Sequence, residues 1–202
     1  MGTPNTVSPL LNGGSPYYLV NKSLRFRSSA SAYLNRTPAA ASNQKTWTWS
    51  CWVKRGTLGS GQVLFGAGTN GNSTNLVRIA FNSTDTFQFY VDTGTANYSI
   101  ITSQVFRDPS AWYHFVVVLD TTQATAANRM LMYVNGVQIT AFGTASYTPQ
   151  NNTYGVNSTL SHNIGRYVFD NTQLFDGYLA EMNLIDGQAL TPSSFGAFDT
   201  NG

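Results

Sequence analysis

Residues 45–54, Lys-Thr-Trp-Thr-Trp-Ser-Cys-Trp-Val-Lys, alternate so cleanly that they fit only one kind of element. Trp47, Trp49, Cys51 and Val53 fall on one face, and Thr46, Thr48, Ser50 and Trp52 on the other. A period of two marks an extended strand with one buried face, and no helix accommodates it. Two tryptophans on that face need a partner layer, so the strand belongs to a sheet packed against a second sheet.

Further strand signals follow at short intervals. Gln62–Gly68, Leu76–Phe81 and Thr86–Val91 are separated by polar turns, among them 69–74. Trp112–Asp120 is apolar on both faces, as expected of a central strand covered on each side. Met130–Val134, then Asn135-Gly136, then Val137-Gln-Ile is a hairpin signal, because Asn-Gly supplies the two positive-φ positions of a type I′ turn. Residues 143–159 are polar and read as a long surface loop, and strands over 160–167 and 175–186 complete the set. After Asp186-Gly187, Thr191 fits a cap and Pro192 a first helical position. The fold class read from this pattern is all-β, an antiparallel two-sheet β-sandwich of the jelly-roll kind with one short C-terminal helix.

The 202 residues suit a single domain. Residues 1–20 carry Pro4, Pro9, Pro16 and Gly13-Gly14 without periodicity and read as a flexible N-terminal arm, leaving 21–202 for the sandwich. Charged residues make up only 10% of the chain and the net charge is +2, too small and too scattered for a nucleic-acid partner. No apolar run reaches the ~18 residues of a membrane helix. The N-terminus lacks the basic start and apolar core of a signal peptide, so synthesis in a cytoplasm is expected. The single cysteine, Cys51, excludes an internal disulfide and reads as a small buried hydrophobe.

Several segments resemble a known family. Thr46–Lys54 is similar to the early strand of laminin-G-like domains. Trp112-Tyr-His with Asp120, and Leu131-Met-Tyr-Val-Asn-Gly136, resemble that family's middle hairpin. Phe175-Asp-Gly177 through Leu190 resembles its last strand and short helix, and the likeness spans residues 23–196. More narrowly, Ser23-Leu-Arg-Phe-Arg27, Tyr33-Leu-Asn-Arg-Thr-Pro38, Thr46–Arg55 and Ile185–Gly196 resemble the laminin-G-like proteins of marine tailed bacteriophages. The resemblance implies a concanavalin A-like sandwich in a virion surface protein, either a capsid decoration or a fibre or tail component, made in the bacterial host cytoplasm. It also implies other virion proteins as partners through the arm, glycans as ligands, a homo-oligomer on the particle and no enzymatic activity. The alternative is a free-standing carbohydrate-binding lectin-like module, followed by a glycoside hydrolase.

Candidate site residues follow from these readings. One branch of the superfold hydrolyses β-glucans with Glu-x-Asp-x-x-Glu on one strand. Here Glu181-Met-Asn-Leu-Ile-Asp186 departs from it at two positions, and residues five apart on a strand need a bulge to share a face. No catalytic residue is assigned. His114 and His162 both lie in strand patterns without a nucleophile that the sequence singles out. Relatives hold Ca²⁺ through oxygen ligands at the rim, which makes Asp120, Asp170 and Asp176 the metal candidates, although Asp before Thr or Asn equally starts a turn. Sugar binding wants exposed rings beside directed hydrogen-bonding groups, and the candidates are Trp52, Tyr90, Tyr98, Tyr147, Tyr154 and Tyr167. The loops 69–75 and 143–159 are the expected contact surface.

Overall fold

The computed structural model describes residues 22–196. The arm expected at 1–20 lies outside the described residues. The strands are β1 (Leu24–Phe26), β2 (Leu34–Arg36), β3 (Thr46–Arg55), β4 (Gln62–Thr69), β5 (Asn72–Phe81), β6 (Thr86–Asp92), β7 (Asn97–Val105), β8 (Tyr113–Asp120), β9 (Met130–Val134), β10 (Val137–Gln138), β11 (Phe142–Ala145), β12 (Ser161–Ile164) and β13 (Gly177–Asp186). They form a six-stranded sheet, β1-β13-β3-β8-β9-β10, and a seven-stranded sheet, β11-β7-β6-β5-β4-β12-β2. Every pairing is antiparallel. Among the described residues, no helix is long and apolar enough to cross a membrane.

The core is what the alternation of β3 demands. Trp47, Trp49, Cys51 and Val53 meet Phe65 and Ala67 of β4, Val77, Ile79 and Phe81 of β5, and Phe87, Phe89 and Val91 of β6 in one apolar cluster. Aromatic pairs knit the two layers, with Trp47 edge-on to Phe89 at 5.6 Å and Phe87 stacked on Phe115 at 4.1 Å. Cys51 is fully buried, and burial pushes its thiol well above the usual range, so it stays protonated. β8 sits between β3 and β9, and both of its apolar faces are covered: Phe115, Val117 and Leu119 by the core, and Val116 and Val118 by Tyr133, Leu131 and Phe195. The β9–β10 turn has φ of 47° at Asn135 and 79° at Gly136, the left-handed pair of a type I′ turn.

Three expectations change. β7 was not foreseen, because Asn-Tyr-Ser-Ile-Ile-Thr-Ser-Gln-Val carries few apolar residues. It forms next to an edge strand, burying only Ile100 and Thr102, and the Thr102 hydroxyl accepts from Phe87 N–H (3.0 Å) where the β6–β7 register slips. The region 143–159 is not simply a surface loop: β11 pairs with β7, and Tyr154–Ser158 are buried. The polar residues there are interior because each finds partners. Asn157 donates from its backbone to His162 Nε2 (3.0 Å) and from Nδ2 to Asn43 O (2.8 Å) and to Asp186 Oδ1 (2.9 Å). The third change is at 69–75, where the chain makes a tight Asn70-Gly71 turn between β4 and β5 instead of a loop.

The C-terminal helix is a single 3-10 turn over Pro192–Ser194, and the Thr191 hydroxyl meets Ser193 Oγ (2.8 Å) instead of capping it. This segment runs across the outer face of the six-stranded sheet. Thr48 Oγ1 donates to Gln188 O (2.7 Å) and accepts from Leu190 N–H (2.9 Å), while Phe195 packs on Val116, Val118 and Tyr133.

Candidate functional site

Because the core takes alternate residues of β3, the others face outward: Thr48, Ser50, Trp52 and Lys54. Among the described residues, the C-terminal segment covers the Thr48 end of this face and leaves the Lys54 end open. On the open half, antiparallel register sets Lys54 beside Tyr178 of β13, and Trp52 between Ala180 of β13 and His114 of β8. Trp112, just before β8, reaches across to Tyr178 with ring centres 6.5 Å apart. Trp52 lies 4.9 Å from the His114 ring, and Phe195 of the covering segment lies 6.3 Å from the same ring. The outcome is a band of rings on the outer face of the six-stranded sheet. Tyr178 is 38% exposed and Trp52 and Trp112 are partly exposed, while Ala180 beside Trp52 is buried.

The polar groups around the band are set by local partners. Arg25 stands 5.0 Å over the Tyr178 ring and pairs with Asp176 at 2.5 Å, and Asp176 also accepts from Ser28 Oγ (3.1 Å). His114 Nε2 and Ser50 Oγ are 2.8 Å apart. Burial holds the His114 imidazole below its usual value against the opposing charge of Glu181. Ser50 is only 1% exposed, so this pair ties β3 to β8 beneath the rings and does not offer a nucleophile to solvent.

On the opposite outer face, Tyr90 and Tyr167 come together around Arg78. The guanidinium lies 5.1 Å from one ring and 5.0 Å from the other, and donates to Gln88 Oε1 (2.7 Å) and Gln173 Oε1 (3.4 Å). Tyr90 donates to Asp92 Oδ2 (2.6 Å), and burial with that bond raises its phenol far above the usual value. Gly71 N–H to Phe169 O (2.6 Å) and Val63 N–H to Gln173 O (2.9 Å) close the arrangement. It is a clamp that holds residues 165–175 on the seven-stranded sheet.

The remaining candidates separate. Tyr98 and Tyr147 are partly buried and pack against the core cluster. Tyr154 is fully buried with its hydroxyl on that of Thr148, so it is a core residue and no surface contact. Asp120, at the end of β8, accepts from Thr46 Oγ1 (3.2 Å), Thr122 Oγ1 (2.6 Å) and Gln123 Nε2 (2.6 Å). Burial opposes its ionisation, but these bonds outweigh it and hold the carboxyl below the usual range. Asp170 closes its own turn through Thr172, and Asp176 is held by Arg25. The three do not converge, and no group of three or more His, Cys, Asp or Glu among the described residues is placed to hold a metal.

A β-bulge does occur at Glu181–Met182, where Glu181 takes a φ of 49°. Asp186 at the strand end is held by Asn43 N–H (3.1 Å) and Asn157 Nδ2 (2.9 Å). It lines a side pocket of about 550 Å³ with Arg36, Trp49, Phe65 and His162, whereas Glu181 lines a neighbouring one of about 620 Å³ with Lys22, Leu24 and Phe26.

Sequence reasoning singled out Trp52 but missed Trp112 and Tyr178. Both are readable once register is known. Tyr178 alternates with buried Leu179, and Trp112 precedes the first paired residue of β8.

Residues 28–194 match the family described as the concanavalin A-like lectin/glucanases superfamily. No curated protein matches the sequence. Among solved structures, the chain is similar to a native heptameric SAP-like pentraxin from Limulus polyphemus, with 17% identity over 80% of this chain and 72% of that one, at a TM-score of 0.56. It is similar to the CBM40 of Ruminococcus gnavus IT-sialidase bound to α2,3-sialyllactose, with 13% identity over 80% of this chain and 95% of that one, at 0.57. A K499G mutant of NanB sialidase from Streptococcus pneumoniae shares 16% identity over 87% of this chain at 0.59, and the chain spans only 27% of that protein's length. At these identities the likeness is one of fold.

Proposed function

Because this chain belongs to the concanavalin A-like lectin/glucanases superfamily, we propose that it is a non-enzymatic glycan-binding sandwich on the surface of a tailed-bacteriophage virion. The observation that carries the glycan reading is the open aromatic band of Trp52, Trp112 and Tyr178 on the six-stranded sheet. Sugar rings present apolar C–H faces that stack on such side chains, and a sheet fixes the rings with little ordering left to occur on binding. The CBM40 bound to sialyllactose supports the reading, as does Domain 4 of a Geobacillus stearothermophilus arabinanase solved with arabinotriose.

The virion part rests on the wording of Ser23–Arg27, Tyr33–Pro38 and Ile185–Gly196. In this reading residues 1–20 attach the sandwich to other virion proteins, and the copies follow the symmetry of the particle. Neither nucleic acid nor membrane is a partner. The test is a glycan array probed with the full chain and with Trp52→Ala. Binding that the substitution abolishes, with the same thermal midpoint, supports the proposal. Binding that survives it, or no binding to any glycan, refutes the assignment of this face.

A further inference from the structure

We infer that the aromatic band selects glycans bearing a carboxylate or sulfate, and that Lys54 is the residue that reads the charge. The inference rests on the glycan reading above and names its ligand class. Lys54 stands on β3 directly beside Tyr178 in register, and the rings of Trp112 and Tyr178 meet across the strand that carries it. A sugar stacked on either ring therefore brings its substituents within the sweep of one lysine side chain.

The charges nearby are otherwise engaged. Asp176 is held by Arg25 at 2.5 Å and by Ser28. Asp108 accepts from Ser110 N–H (2.8 Å) and Ser110 Oγ (2.6 Å), and these bonds, with a smaller pull from the Lys54 charge, hold its carboxyl below the usual range. His114 shares its Nε2 with Ser50, and Glu181 lies beyond Ala180 on the far side of Trp52. Among the described residues the ion pairs within 4 Å are Arg25–Asp176, Arg55–Asp85 and Arg107–Asp85, and Lys54 is in none of them. An ammonium flanked by rings and in no ion pair within 4 Å is a donor for an anionic group on whatever the rings hold. Charge-assisted hydrogen bonds of this kind are about twice as strong as neutral ones, so the anion is preferred over a hydroxyl.

The experiment uses the full chain with two matched probe pairs, oligogalacturonate against galacto-oligosaccharide and sulfated dextran fragments against plain ones. Binding is followed by tryptophan fluorescence at low and high salt. A single surface pair predicts a preference of about threefold to fivefold for the anionic member, removed by salt and by Lys54→Met and retained in Lys54→Arg. Equal binding of both members, or a preference that Lys54→Met leaves intact, overturns the charge assignment while the glycan reading stands. Failure of every probe to bind overturns the charge assignment, and the array decides the glycan reading separately. Lys54→Met keeps the apolar stem on an outward strand position, and an unchanged thermal midpoint shows that a lost preference is not lost folding.

Discussion

Asp85 tests whether the interior of this sandwich depends on a buried charge. Arg55 at the end of β3 has a side chain with no exposed surface, and Asp85 is 7% exposed, with Arg55 Nη2 to Asp85 Oδ1 at 2.9 Å. Arg55 also donates to Phe106 O (2.6 Å) and lies 4.2 Å over the Phe81 ring, while Asp85 accepts from Gly59 N–H (2.8 Å) and Arg107 Nε (3.0 Å). Asp85→Ala strands the guanidinium in the core without a counter-charge. Breaking one partner of such a pair costs about 3–5 kcal/mol. For a domain of this size each kcal/mol moves the midpoint by roughly 2–4 °C, so the variant should melt roughly 6–20 °C lower. Adding Arg55→Met removes the stranded charge and restores part of the loss, because Met and the surrounding rings pack without desolvating an ion. Urea unfolding of the single and double variants measures both values. A loss below about 1 kcal/mol for Asp85→Ala, or a double variant whose loss equals the sum of the singles, refutes the reasoning.

Two further outcomes follow from buried polar groups. Burial lowers the imidazoles of His114 and His162 in the folded chain, so the unfolded chain takes up protons first as the pH falls. Stability that is full above about pH 6.5 is therefore lost progressively below it, a window where carboxylates with ordinary values near 4 do not titrate. Urea midpoints should fall between about pH 7.5 and 5.5, and the joint His114→Gln, His162→Gln variant should fall less; an equal or steeper decline contradicts the assignment. Tyr154→Phe leaves the buried Thr148 hydroxyl without its tyrosine partner and should cost about 1–3 kcal/mol in the same assay. A change within about 0.5 kcal/mol would mean that the pair contributes nothing.

What the sequence revealed divides along physical lines. The alternation of β3, the two-sided β8 and the Asn135-Gly136 turn were legible because each is a local pattern with one structural solution. β7 was not, because its position beside an edge strand lets polar residues stand where a central strand would need apolar ones. Tyr154–Ser158 looked like loop because the side chain of Asn157 is satisfied by partners remote in sequence, Asn43 and Asp186, which no local window contains. The site followed the same division. Trp52 was visible as the ring on the wrong face of an alternating strand. Its neighbours Trp112 and Tyr178 depend on the register of β8 and β13 against β3, separations of more than fifty residues along the chain.

The central claim, that the open half of the six-stranded sheet is the glycan-binding face, can be read directly from the indole N–H signals. The chain has 4 tryptophans, two of them on each side of one sheet. Trp47 and Trp49 are fully buried in the core, whereas Trp52 and Trp112 belong to the band. Titrating isotope-labelled protein with an oligosaccharide taken from the array should shift the Trp52 and Trp112 indole resonances and leave those of Trp47 and Trp49 in place. A bound ligand that leaves Trp52 and Trp112 unmoved would contradict the account.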